Sequence, residues 1–411
     1  MREPRTPVRD TYDAIIDLAM HPETGPYAYA LVKQTFRIAG QQGVIDAPEP
    51  LEHDMRDPEI DPVIKPGTDF WYVKTATDVV VQGSAYAPFG RATPQMEVAV
   101  SVGSFSKEIA VFGQRWVEWA GHGQVRITPP EPMEEMPLIW ENAYGGADFR
   151  VTDPTLENAP PEVLLMKLQR DHPGLYPRNP FGKGYLVQPD PVEDFEMPNL
   201  EDPSNLLTPA RLITRDPRLW HQQPLPWCYE WVHPMMFPRY VHFLDGPDAW
   251  YPGPEDRTLP EVQQGFVAPG FRTASRERHA MLGPMPAFYQ GASHGLVVPG
   301  LLPNTPVSIR GMHPEEPNLM FQVPSPPRIE MQVEHRREVV KPRLHSLVCR
   351  PADRQCTLLY GAVMDLTRPF IPGIHKYIPL AVHVNGDFPV AYEAPVPIRE
   401  QIAGARGQQT T

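Results

Sequence analysis

Apolar and polar side chains alternate through both ends of this 411-residue chain. In MEVAVSV, residues 96–102, Met96, Val98, Val100 and Val102 share one face, while Glu97, Ala99 and Ser101 share the other. Side chains on a strand alternate with period 2, so the stretch is expected to be a half-buried strand. AYALVKQTFRI, residues 28–38, behaves alike, with Ala28, Ala30, Val32, Phe36 and Ile38 in phase. DVVVQGSAY (78–86) and KEIAVFGQRW (107–116) read as two more strands, and GSFS between 102 and 107 reads as a hairpin connection. Alternation returns in RIEMQVE, where Ile329, Met331 and Val333 oppose Glu330, Gln332 and Glu334. CTLLYGAVMDL (356–366) and YIPLAVHVNG (377–386) read as further strands.

The middle of the chain lacks this pattern. PPEVLLMKLQRDHPG, residues 160–174, is the best helix candidate, with proline at its start and Pro173-Gly174 at its end. Stretches such as YPRNPFGKGYL, MPNLEDPSNLLTP and WYPGPEDRTLP set aromatic and aliphatic side chains among prolines and glycines. Long loops packed by their own aromatic rings fit this composition better than disorder. The expected architecture is mainly β: two β-rich portions, sandwich or barrel-like, with a long proline-rich, loop-dominated middle and few short helices. Their bounds are 20–150 and 301–395, with the loop region at 151–300 and a frayed tail at 396–411.

Composition sharpens this picture. The chain holds 54 prolines, where about 20 would be average for its length, so long helices must be scarce. A hydrophobic fraction of 41% suffices for a packed core. The net charge of −13, with no lysine or arginine stripe, weighs against nucleic acid as the main ligand. MREPRTPVRDTYD at the start has no apolar segment of the kind a signal peptide needs, and no apolar run is long enough to cross a membrane as a helix. Three cysteines are too few for a disulfide scaffold. These features predict a protein of a reducing cytoplasm, without membrane insertion.

The candidate chemistry is thin. GASHG, residues 291–295, matches the nucleophile-elbow pattern with Ser293 as nucleophile, but that motif needs a strand before it and a helix after it. GPMPAFYQ is a poor strand, and Pro299 and Pro303 block a long helix, so a tight turn is expected. SFSK, residues 104–107, matches S-x-x-K, but no S-D-N or K-T-G accompanies it and it lies between two strands. Fourteen histidines include no H-E-x-x-H, Cys349 and Cys356 are too far apart for a zinc knuckle, and His233 and His242 are two isolated imidazoles. No glycine-rich phosphate loop is present, KPGTD (65–69) included, and no cofactor or metal is expected.

PLIWENAYGGADF, residues 137–149, poses the sharpest question. Glu141 beside aromatics could be an acid/base in a two-carboxylate hydrolase, with Asp148, Asp153 or Glu157 as partner. In the competing reading, Gly145 and Gly146 permit a backbone turn closed to other residues, Trp140 and Tyr144 fill the space beneath it, and Glu141 holds backbone amides or an arginine such as Arg115 or Arg150.

Taken in order, YALVKQTFRI, KPGTDF, DVVVQGSAYAP, VFGQRW, PLIWENAYGGAD, NPFGKGYL, MPNLEDP, FPRY and GASHGL before LLPNTPVSIRGMHPE form a recognisable series over about residues 25–370. The series resembles the bacterial family catalogued as domain of unknown function 2169, the type VI secretion accessory proteins. Its most specific parts are GQRW, with Arg115 and Trp116; ENAYGG, with Trp140 just before it and Glu141, Tyr144, Gly145 and Gly146 within it; and NPFGKGY, with Asn179, Pro180, Gly182 and Gly184. The chain departs from the family pattern between Asp69 and Asp78 and at Phe237. The resemblance implies a non-catalytic cytoplasmic adaptor or chaperone that binds a secreted effector (a toxin), or its PAAR-like spike-tip protein, and loads it for export. Those motif residues would then be architecture. The alternatives are a β-rich hydrolase using Glu141 and a structural component of the spike assembly.

Overall fold

The computed structural model describes residues 11–21, 25–51, 69, 74–119, 125–149, 151, 155, 174–187, 194–214, 216–233, 236, 237, 239, 289–366 and 377–395. The first strands are β1 (Asp13–His21), β2 (Gly25–Ala39), β3 (Gln42–Ile45), β4 (Thr77–Val81) and β5 (Ser84–Tyr86). The next are β6 (Gln95–Val102), β7 (Phe105–Phe112), β8 (Trp116–Trp119), β9 (Val125–Ile127) and β10 (Glu135–Pro137). Short pieces follow: β11 (Tyr144–Gly145), β12 (Lys183–Gly184), β13 (Phe195–Glu196), β14 (Leu200–Glu201) and β15 (Val297–Val298). Last come β16 (Pro306–Arg310), β17 (Asn318–Gln322), β18 (Ile329–Val333), β19 (Arg336–Val340), β20 (Arg343–Arg350), β21 (Gln355–Asp365), β22 (Tyr377–Val384) and β23 (Val390–Pro395). Among the described residues the helical content is one α-helical turn, α1 (Pro209–Leu212), and three 3-10 turns. The protein is mainly β, as its proline content requires.

The largest sheet runs β1-β2-β21-β20-β4-β15, with β3 on the edge of β2. A five-stranded sheet runs β14-β7-β6-β16-β17, and a four-stranded one β19-β18-β22-β23. β2 lies against β21, β4 runs parallel to β20, and β6 lies against β16. The 20–150 and 301–395 portions therefore share both of the larger sheets. One continuous apolar cluster takes Ala28, Ala30 and Val32 from β2, Val79 to Val81 from β4, Val98 and Val100 from β6, and Ile329 and Met331 from β18.

The alternating patterns land where they were expected. In the five-stranded sheet, Val98 faces Ile109, and Val100 faces Ile309, which in turn faces Leu319. β18 alternates buried and half-buried residues along Ile329–Val333. Gly103 and Ser104 form a two-residue hairpin loop between Val102 and Phe105. Gly103 has φ 60, the glycine-demanding first position of the mirror-image turns that match strand twist.

Two expected strands are shorter than their sequence runs. The 78–86 run divides after Val81, where Gly83 (φ 149) turns the chain and β5 pairs with β10 instead of continuing the large sheet. The 107–116 run ends at Phe112. At Gly113 a Cβ would collide with the carbonyl of Glu131, and Trp116 then enters a separate sheet with β9 and β13. Most of the expected 160–174 helix lies outside the described residues.

Candidate functional site

ENAYGG and NPFGKGY are built into one knot. Trp140–Asn142 forms a 3-10 turn, after which β11 runs parallel to β12. Asn179, wholly buried, ties the two stretches together: its Nδ2 donates to the carbonyls of Trp140 (2.8 Å) and Tyr144 (3.1 Å). Its backbone carbonyl accepts the Gly146 amide at 2.8 Å, and Pro180 follows it, also buried. Gly145 (φ 152), Gly146 (φ 97) and Gly184 (φ 94) all lie in the region that favours glycine. A Cβ at Gly145, Gly146 or Gly182 would sit closer than 3.0 Å to the backbone of Asn179, Gly182 or Ala143 respectively, a separation real Cβ atoms do not show.

Aromatic rings fill the space under this knot. Trp140 Nε1 donates to the Trp231 carbonyl at 2.8 Å, and the Tyr144 hydroxyl donates to the Leu212 carbonyl at 3.2 Å. The Tyr144 ring meets Tyr176 edge-on at 5.2 Å, and Tyr176 stands 5.0 Å from Tyr185. Burial pushes the phenols of Tyr144 and Tyr185 well up from their ordinary value, so both stay neutral, Tyr144 as a hydrogen-bond donor and Tyr185 as a packing group.

Glu141 itself is exposed, so it does not hold Arg115. That guanidinium pairs instead with Glu201 of MPNLEDP, donates to the Pro198 carbonyl at 2.7 Å and lies 3.8 Å over the Phe112 ring. The other Glu201 oxygen accepts the Leu207 amide at 2.6 Å. A buried arginine needs a buried carboxylate, and Glu141 on an outer turn cannot supply one. Trp116 beside it is partly exposed. Of the acids considered as partners for Glu141, Asp148 is buried and accepts the Val187 amide at 2.9 Å. Asp153, Glu157 and Arg150 lie outside the described residues.

The carboxyl that does feel Glu141 is Glu230. Burial first, and then the Glu141 charge, push it up to about 7, against a stabilising backbone hydrogen bond from Trp140. Sequence reasoning passed over Glu230; its only signal there is its position between Tyr229 and Trp231.

Two dismissed motifs meet in space. Lys107 of SFSK faces inward at the end of an apolar row, opposite Val100. Its Nζ donates to the Cys228 carbonyl (2.6 Å) and to Ser293 Oγ of GASHG (3.1 Å), with the Trp227 ring centred 4.6 Å away. Burial lowers the Lys107 amine to about 7. A neutral lysine beside a serine is a known way to activate a nucleophile. Here Ser293 is 1% exposed and its hydroxyl donates to the same Cys228 carbonyl at 2.6 Å. The turn that carries it closes with the Leu296 amide on the Ser293 carbonyl, has Gly295 at φ 82, and leads into β15 rather than a helix. The pair therefore clips two loops of the middle region to the five-stranded sheet.

A second clip lies on the other side of the same loop. Lys74 Nζ pairs with Asp78 Oδ2 at 2.6 Å with both side chains fully buried, and also meets Ser346 Oγ at 3.1 Å. Asp78 accepts Gln290 Nε2 (3.0 Å) and the amides of Gly291 (2.9 Å) and Ala292 (3.1 Å). Desolvation lowers the Lys74 amine, and the Asp78 charge opposes that shift. It is Lys74 and Asp78 that lead into the valine strand; of KPGTD, only Asp69 is described, and it pairs with Lys33 at 2.8 Å. Among the described residues, no three His, Cys, Asp or Glu side chains converge as metal ligands, and no helix is long and apolar enough to cross a membrane.

The buried Lys107 gives a pH test. Its amine titrates near 10.5 when unfolded and about 7 when folded. Above the unfolded value both states are neutral and burial costs no charge. As pH falls from 10.5 toward 7, the unfolded chain takes up a proton that the folded one does not, so stability drops by about 1.4 kcal/mol per pH unit from this group and levels off below. Denaturant unfolding of wild type and Lys107→Met at pH 7, 8 and 9 should show the variant gaining on wild type by that slope as pH falls. Parallel stability curves for the two proteins would show that Lys107 keeps its proton in the fold.

The family described as "Uncharacterized protein conserved in bacteria (DUF2169)" matches residues 23–360, more than half of the chain, and the chain belongs to it. No curated protein and no solved structure matches.

Proposed function

We propose, with membership of this bacterial family as the premise, that the chain is a non-catalytic cytoplasmic adaptor. It binds a type VI secretion effector, or the effector's PAAR-like spike-tip domain, and helps load it for export. The observation that carries this reading is a division of labour among side chains. Ser293, Lys107, Lys74, Asp78, Arg115 and Glu201 are consumed in buried frames, whereas large apolar side chains stand in solvent. Phe89 is 94% exposed, Phe388 86%, Leu302 67%, and Tyr377 and Val339 60% each. Large apolar side chains left in solvent on a rigid turn or a sheet edge offer places where another molecule can sit. Val339 stands on β19, an edge strand of the four-stranded sheet, where a partner segment can add by strand pairing.

Deleting the protein is expected to lower the level or secretion of one cognate effector while export of the spike protein continues. Co-expression should raise that effector's soluble yield, and the two should co-elute in size-exclusion chromatography. Loss of spike export on deletion would favour a structural component of the spike and sink the adaptor. A second reading draws on Glu230 and Glu141, whose neighbouring carboxyls, one titrating near 7, suit acid/base work in a hydrolase. Under that reading Glu141→Gln abolishes a hydrolytic activity; under the adaptor reading it leaves effector secretion unchanged.

A further inference from the structure

The loop joining β5 to β6 spends stability on one exposed side chain. The Gly90 amide donates to the Ala87 carbonyl and the Arg91 amide to the Pro88 carbonyl, both at 3.2 Å, so two tight turns overlap. Phe89 occupies the third position of the first turn and the second position of the next, with φ 59 and ψ 24. Both positions call for glycine or asparagine, because a Cβ crowds the left-handed backbone. An aromatic residue there is an outlier, and nothing is recovered by burial, since the ring is 94% exposed.

The base beneath the ring is rigid. The Ala87 amide donates to the Glu134 carbonyl (2.7 Å), Thr93 and Met133 exchange backbone hydrogen bonds (3.0 Å each), and the Tyr86 amide donates to the Gly311 carbonyl (2.9 Å). The segment that supplies this base, leading into β10, carries Glu131, Glu134 and Glu135, all exposed, against the single exposed Arg91 of the loop. The other prominent ring offers a contrast. Phe388 follows Asn385 (φ 53) and Gly386 (φ 86), so there the left-handed positions go to residues that tolerate them.

We infer that Phe89 is the anchor of a docking surface for a folded protein partner that offers an apolar pocket for one aromatic ring, rimmed by lysine and arginine. Strain held at a rigid, solvent-exposed position is a mark of function, and aromatic rings are enriched where proteins dock on one another. The acidic segment selects the rim: it attracts a basic face and repels an anionic lipid surface. This deepens the adaptor reading and rests on it for the partner's identity as an export client.

The test places the photo-crosslinker p-benzoyl-phenylalanine at position 89 of the full-length chain in its native cell and identifies the crosslinked peptide by mass spectrometry. The expected product is a protein peptide from an apolar site flanked by lysine or arginine. With that protein purified, Phe89→Ala and Phe89→Gly should each weaken binding at least tenfold, chiefly through faster dissociation. Glu134→Lys should slow association and flatten its salt dependence, and Phe388→Ala should stay within twofold of wild type. Phe89→Gly should also raise the unfolding midpoint of the free protein, a gain that a ring kept for folding would not give. Crosslinks only to a second copy of this chain or to lipid, no crosslink at all, or unchanged binding by Phe89→Ala would each overturn the inference. The two readings can fail separately. A Phe89-dependent partner that is never exported removes the adaptor and keeps the anchor, while an effector that binds Phe89→Ala as tightly as wild type does the reverse.

Discussion

Gly146→Val is expected to leave little soluble, folded protein, and Gly145→Val to behave alike. At φ 97 a Cβ strains the Gly146 backbone, which costs about 1–2 kcal/mol by itself. The added side chain must also displace the Gly182 carbonyl, which belongs to the backbone and cannot swing aside. Overpacking of this kind costs about a further 1–3 kcal/mol, and here the knot cannot relax, because Asn179 in one half of it bonds twice to the other. A loss of roughly 3 kcal/mol or more is a large share of a typical 5–15 kcal/mol stability. Glu141→Gln, on the exposed turn just before, should shift stability by no more than about 0.5 kcal/mol. Soluble yield and urea midpoints for the three variants decide the matter: if Gly146→Val unfolds at the wild-type midpoint, the close approach of the two backbones does not hold the fold.

That contrast shows where the sequence was legible. Period-2 alternation placed the strands because one face of each meets a common core, and Val98, Val100 and Val102 are buried as their spacing requires. The glycine pairs were legible too, since the conformations they permit are local properties of the chain. Pairing at a distance was not. Nothing local says that Arg115 finds Glu201, eighty-six residues on, rather than Glu141. The strongest unused signal was Lys107. In KEIAVF it shares a phase with Ile109 and Val111, so the alternation itself places a lysine on the buried face. A buried amine there must meet polar partners from elsewhere, and they proved to be the Cys228 carbonyl and the Ser293 turn. Phe89 had no such signal, because its left-handed backbone is visible only in three dimensions.

The second large effect belongs to Asp78. Replacing it with alanine is expected to cost about 3–5 kcal/mol, because it strands a fully buried ammonium and leaves the Gly291 and Ala292 amides without their acceptor. The order of three variants separates the charge from the hydrogen bonds. Asp78→Asn keeps an acceptor oxygen but leaves Lys74 facing a neutral amide, so it should be clearly destabilising, though less so than Asp78→Ala. Adding Lys74→Met to Asp78→Asn removes the unpaired charge and should restore part of the loss, since an isolated buried ion costs more than a neutral pair. Hydrogen exchange adds a local readout. The amides of Gly291 and Ala292 should lose protection in Asp78→Ala before the core of β2 and β21 does, because Asp78 is the hydrogen-bond acceptor for both. Denaturant midpoints that fail to rise from Asp78→Asn to the double variant would show that the buried charge is not the dominant cost. Even protection losses across both regions would show instead that the loop and the large sheet unfold as one unit, with Asp78 as part of the global core rather than a clip for the loop that carries Ser293.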